Sequence, residues 1–114
     1  MIVVADSGSS KTHWRIIKPN GDAVEFLTIG LNPFHSAPAG YSDILSLDFP
    51  EDLNPKDVRK VFFYGSGCAS DLMVQKVKSG LAVFFANASI DVNSDILGAA
   101  RALFGKKDGI AVIL

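Results

Sequence analysis

Seven residues near the start of the chain, Asp6-Ser7-Gly8-Ser9-Ser10-Lys11-Thr12, combine types that together can hold a phosphate. Small residues let backbone N–H groups crowd a phosphate oxygen, and hydroxyls donate further hydrogen bonds. Lys11 adds a positive charge, and Asp6 can place a divalent cation through its water shell. Elsewhere the chemistry-bearing residues are sparse. Asp95 can cap a helix that starts there, and His35 sits in a loop beside Pro33 and Phe34. Cys68 is the single cysteine, which excludes an internal disulfide and a cysteine-built zinc or iron–sulfur site within one chain.

The elements that must position these residues follow from periodicity. Ile2-Val3-Val4-Ala5 is apolar on both faces, as a central strand requires, and Asp6 to Ser10 supplies the turn after it. A second strand alternates from His13 to Lys18, with Trp14 and Ile16 on one face, and Pro19-Asn20-Gly21-Asp22 is a hairpin signal. Ala23 to Ile29 reads as the returning strand, after which Gly30-Leu31-Asn32-Pro33-Phe34-His35 breaks all regular spacing. A short helix is expected near Tyr41 to Leu47, and Val58 to Tyr64 reads as a buried strand closed by Gly65-Ser66-Gly67. Ser70 or Asp71 then caps a helix through Leu72, Val77, Leu81 and Phe84, in which Gly80 costs about 1 kcal/mol relative to alanine. A shorter strand, Ala88 to Val92, leads to a small-residue helix over Ile96–Phe104, and the apolar run Gly109–Leu114 reads as a further strand. Phe62, Phe63, Tyr64, Phe84 and Phe85 are expected in the core. A three-stranded meander followed by right-handed crossovers describes a mixed sheet covered by helices.

The 114 residues suffice for one domain that buries roughly 65% of its unfolded surface. Eleven basic residues against twelve acidic ones leave a formal charge of -1 and no like-charge run, so small ligands are expected rather than nucleic acid or anionic lipid. No stretch reaches the roughly 18 apolar residues of a membrane span, and no leader pattern precedes the first strand; with a single cysteine, a cytoplasmic location is the expectation. The chain stops inside an apolar run, which leads us to expect that further chain follows Leu114.

The glycine-and-serine turn fits neither of the two common phosphate loops. A Walker A loop needs a glycine where Ser10 stands and a helix where His13 to Lys18 alternate, and a dinucleotide fingerprint also needs a strand-to-helix crossing. A phosphate turn between two strands resembles instead the first phosphate motif of the actin, sugar kinase and heat-shock chaperone ATPase superfamily. Together with Gly30-Leu31-Asn32-Pro33-Phe34, Tyr64-Gly65-Ser66-Gly67-Cys68 and Asp95-Ile96-Leu97-Gly98-Ala99-Ala100-Arg101-Ala102-Leu103, it is similar to the N-acetylglucosamine kinase-like group, which includes ATPases related to activators of CoA-ester reductases.

The resemblance implies an α/β, ribonuclease H-like domain over 1–114, with a mixed five-stranded sheet, three antiparallel meander strands then parallel ones, and helices on both faces. It implies ATP and Mg2+ as cofactors. Asp6 would hold magnesium through water, and Gly8, Ser9, Ser10, Lys11 and Thr12 would bind the β- and γ-phosphates. Asp95 would accept the proton of the attacking sugar hydroxyl as the γ-phosphoryl moves in line, and Asn32, His35, Gly65, Ser66 and Gly67 would line the acceptor pocket. The second phosphate motif and the adenosine-binding domain have no counterpart in the chain, so the resemblance implies the N-terminal half of a two-domain amino-sugar kinase, inactive alone, whose relatives are often homodimers. Two competing expectations are an ATPase that activates a CoA-ester reductase or dehydratase through an intersubunit iron–sulfur cluster, and a non-catalytic binding or scaffold domain.

Overall fold

The computed structural model describes residues 1–8, 10–31, 40–65, 68 and 70–94, with Ser94 by its backbone alone. Five strands, β1 (Ile2–Ser7), β2 (Lys11–Ile17), β3 (Ala23–Ile29), β4 (Lys60–Gly65) and β5 (Ser89–Ser94), form one sheet in the order β3-β2-β1-β4-β5. The first three pair antiparallel; β1 with β4 and β4 with β5 pair parallel. Helix α1 (Tyr41–Asp48) and a 3-10 turn (Pro55–Asp57) lie between β3 and β4, and α2 (Asp71–Phe84) joins β4 to β5.

Strand β1 runs two residues past the expected boundary, through Asp6 and Ser7, because both neighbours supply partners that far: Ser7 is registered with Thr12 on one side and Gly65 on the other. At the far end of the β2–β3 hairpin, the Gly21 N–H donates to the Lys18 carbonyl at 2.9 Å and the Lys18 N–H to the Asp22 carbonyl at 2.8 Å. Gly21 takes φ 93° there, the left-handed conformation that ends a three-residue hairpin loop. Ser70 is the cap chosen for α2, its hydroxyl accepting from the Met73 N–H at 3.3 Å, and the helix runs unbroken through the buried Gly80.

The core lies on one side of the sheet. Val3, Ala5, Trp14, Ile16, Val61, Phe63, Ile90 and Val92 meet the buried Tyr41 and Leu45 of α1 and Val77 and Leu81 of α2 in a single cluster. Trp14 stacks on Phe26 with centroids 5.8 Å apart, and Phe49 reaches both Phe26 and Phe84. Among the described residues, α1 and α2 share one face of the sheet. The two crossovers step in the same direction across the sheet, and right-handedness places both helices on the same side. The helix expected over Ile96–Phe104 and the strand over Gly109–Leu114 lie outside the described residues.

The expected core is corrected at two positions. Phe62 and Tyr64 alternate away from Phe63 and are only half-buried on the opposite face, where the Lys60 Nζ lies 5.5 Å from the Phe62 ring centroid. No helix among the described residues is long and apolar enough to cross a membrane.

Candidate functional site

The turn after β1 is closed by the Gly8 N–H, which donates to the Lys11 carbonyl at 2.9 Å. Strand alternation divides its flanking side chains. Asp6 is exposed on the sheet face opposite α1 and α2, registered between His13 and Tyr64, while Ser7 and Thr12 point inward beneath the turn. Ser10 and Lys11 are exposed. His13, on the same open face as Asp6, is held by Glu25, with Nε2 2.5 Å from Oε1. An open hollow bordered by Lys11, His13, Glu25 and Leu27 adjoins the turn.

Beneath the turn lies a chain of buried hydroxyls. The Leu31 N–H donates to Ser7 Oγ at 3.0 Å, Ser7 Oγ and Thr12 Oγ1 are 2.7 Å apart, and Thr12 Oγ1 donates to the Ile29 carbonyl at 3.0 Å. Because the one hydroxyl proton of Thr12 goes to Ile29, Ser7 is the donor between the two hydroxyls. From the other side, Tyr41 Oη donates to the Leu31 carbonyl at 2.8 Å. Burial pushes the Tyr41 hydroxyl from 10.0 up to about 12, with the nearby Cys68 thiol adding to the rise, so it stays a proton donor to Leu31 throughout the neutral range.

These contacts redistribute the expected roles. The Gly8 N–H and the Thr12 hydroxyl are engaged inside the protein, while Gly8 itself, Ser10 and Lys11 are the exposed described members of the turn. Asp6 has the exposure that a carboxylate meeting magnesium through its water shell needs. Among the described residues no three His, Cys, Asp or Glu side chains gather to grip a metal directly, and a water-shell contact requires no such cluster.

The two described glycines of the expected site differ. A Cβ on Gly65 would stand 2.5 Å from Phe63 Cε1 and 3.3 Å from Cys68 Sγ, so the fold itself demands glycine there. Among the described residues, a Cβ on Gly8 would meet only the Lys11 carbonyl oxygen, at an ordinary 3.7 Å, and Gly8 has no left-handed φ. Packing among the described residues gives no reason for glycine at position 8.

The sheet brings the expected segments to one edge. Ser7, Gly65 and Ser94 are registered in one row across β1, β4 and β5, so the turn, the segment after Gly65 and the chain after Ser94 all leave the sheet from the same end. Ser9, Asn32, His35, Ser66, Gly67 and Asp95 lie outside the described residues. The inward roles of Ser7, Leu31 and Tyr41 were not anticipated. For Thr12 the signal was present, since it shares the phase of Trp14 and Ile16.

No protein-family model matches the chain, and no curated protein matches it significantly. Among solved structures, the chain is similar to a protein from Porphyromonas gingivalis described as a putative N-acetylglucosamine kinase, at 34% identity and a TM-score of 0.78. The likeness covers 92% of this chain and 38% of the neighbour, so the chain spans well under half of that protein's length. The mixed five-stranded sheet and the likeness to an N-acetylglucosamine kinase-like protein expected from the motifs are thus found in a solved structure.

Proposed function

We propose that the chain is the N-terminal domain of an ATP- and Mg2+-dependent kinase that phosphorylates N-acetylglucosamine or a related amino sugar in the cytoplasm. The observation that carries this reading is Gly8: it lies in an exposed turn between Asp6 and Lys11, and nothing in the packing of the described residues requires glycine there. The likeness to the kinase-like neighbour supports the same reading, and its 38% coverage accords with a second domain beyond these residues.

In this reading magnesium, when bound, neutralises charge on the phosphates and draws electrons from the transferred group. Asp6 orients the ion through water, Lys11 offers a positive charge from the outer side of the turn, and Ser10 offers a hydroxyl. Asp95 follows Ser94, whose row leads through Gly65 to Ser7, and accepts the proton of the acceptor hydroxyl. Asn32, His35, Gly65, Ser66 and Gly67 frame the acceptor, with no room for a side chain at Gly65 beside Phe63.

The reductase-activator alternative needs a cysteine presented for cluster binding. Cys68 is 3% exposed and packs beside Gly65, which favours the kinase. The test is to read the coding sequence beyond codon 114 and assay the full-length product for ATP consumption with a panel of amino sugars. We expect sugar-dependent turnover that falls at least tenfold in Gly8→Ala and further in Asp95→Asn. A Gly8→Ala protein with unchanged affinity for ATP, or a product with no sugar-dependent turnover, would overturn the kinase reading.

A further inference from the structure

We infer that Thr12 and Tyr41 are positioning residues, which set where the phosphate turn stands by locking it to Leu31 through a buried hydroxyl chain. The inference rests on the reading of Gly8 to Lys11 as a phosphate turn. Three observations carry it.

Ser7 and Thr12 face each other in register at the two strand ends that bear the turn, so anything that moves their hydroxyls moves both feet of the turn together. Leu31 has both of its backbone polar groups taken by side chains from different elements: its N–H by Ser7 at 3.0 Å, its carbonyl by Tyr41 at 2.8 Å. The exit of β3, the turn and the first residue of α1 are therefore one hydrogen-bonded unit. Finally, Ser7, Thr12, Leu31 and Tyr41 are each at most 1% exposed, so water cannot substitute for any of these partners.

Stability alone gives little reason for this arrangement. Buried hydroxyl pairs exchange bonds to water for bonds to each other, and apolar groups of the same shape on both sides are often as stable. What hydroxyls add is direction. Each donates once along the path from Leu31 through Ser7 and Thr12 to Ile29, which fixes the turn in rotation as well as in distance. A turn that must present Lys11 and Ser10 to a phosphate needs that fixity, because misplacement of a positioning group lowers turnover steeply.

The test uses the full-length product with Thr12→Val, Thr12→Ser, Tyr41→Phe and the Thr12→Val/Tyr41→Phe pair, assayed well below the melting temperature of each. We expect Thr12→Val and Tyr41→Phe each to raise KM for Mg-ATP about tenfold, roughly the worth of one buried hydrogen bond. Thr12→Ser should restore it, and the pair should be no worse than its weaker member, as for links of one chain. A purely structural role would lower the melting temperature and leave KM within about twofold.

A second readout needs no activity. The Gly8 amide, bonded to Lys11, should exchange its hydrogen faster in Tyr41→Phe while β4 amides keep their protection. Unchanged Gly8 exchange, or multiplicative effects in the pair, would overturn the inference. Faster Gly8 exchange in a product that consumes no ATP would uphold the link to Leu31 and remove the phosphate reading instead.

Discussion

Replacing Gly65 by alanine tests whether that glycine is there for packing. The added methyl would sit 2.5 Å from Phe63 Cε1 and 3.3 Å from both Phe63 Cζ and Cys68 Sγ. Phe63 cannot withdraw freely, since its ring is fully buried and lies 6.0 Å from Trp14. Forcing one extra methyl into such a core costs about 1–3 kcal/mol. Restricting the unfolded chain returns about 0.4–1 kcal/mol. The net loss is therefore at most about 2.6 kcal/mol and centred on about 1.3 kcal/mol, which in a domain of this size lowers the melting temperature by about 5 °C. Thermal and urea unfolding of the 114-residue chain measure it, with an unchanged urea slope showing that only stability moved. Gly8→Ala is the internal control: among the described residues its methyl meets a single atom at 3.7 Å, so its stability should match wild type within about 0.5 kcal/mol or exceed it slightly. A Gly65→Ala protein melting within about 1 °C of wild type, or equal shifts from both glycines, would refute the distinction drawn between the two positions.

Three further outcomes are expected. Thr28→Val should cost about 1–3 kcal/mol in urea unfolding, because the buried Trp14 Nε1–H, now donating to Thr28 Oγ1 at 3.0 Å, would lose its acceptor. Gly21→Ala should cost about 1 kcal/mol, since φ 93° strains any residue with a Cβ although space around it is open; Gly21→Asn should recover part of that loss. Tyr41 has a folded pKa of about 12 against 10.0 ordinarily, so its stabilising effect is complete below pH 10 and fades as pH rises toward 12, where the unfolded chain ionises first. Urea midpoints at intervals through that window should fall more steeply for wild type than for Tyr41→Phe.

Much of the sheet was legible because its signals are local. Alternation from His13 to Lys18, the Pro19-Asn20-Gly21-Asp22 hairpin and the apolar run at Val61 to Tyr64 each place a strand without reference to the rest of the chain. Strand ends were less legible: Asp6 and Ser7 look like turn residues alone, and become strand only because β2 and β4 both pair with them. Phe62 and Tyr64 were misplaced for a related reason. Their burial depends on which sheet face the helices cover, and the crossover direction decides that.

The site divides in the same way. Residue types identified the turn, and the phase of β2 sends Thr12 inward with Trp14. The partnership of Tyr41 with Leu31 spans ten residues of chain with no periodic signal, so only the folded arrangement reveals it.

Trp14 gives the molecule an optical property as well as a core. It is the one tryptophan in the chain, fully buried, stacked on Phe26 and hydrogen-bonded to Thr28, whose hydroxyl donates to the same Ile29 carbonyl that Thr12 holds. Any movement of the turn that reaches Thr12 therefore reaches the surroundings of a single indole. Its fluorescence emission therefore follows the state of the turn, with no label attached and no second tryptophan to dilute the signal.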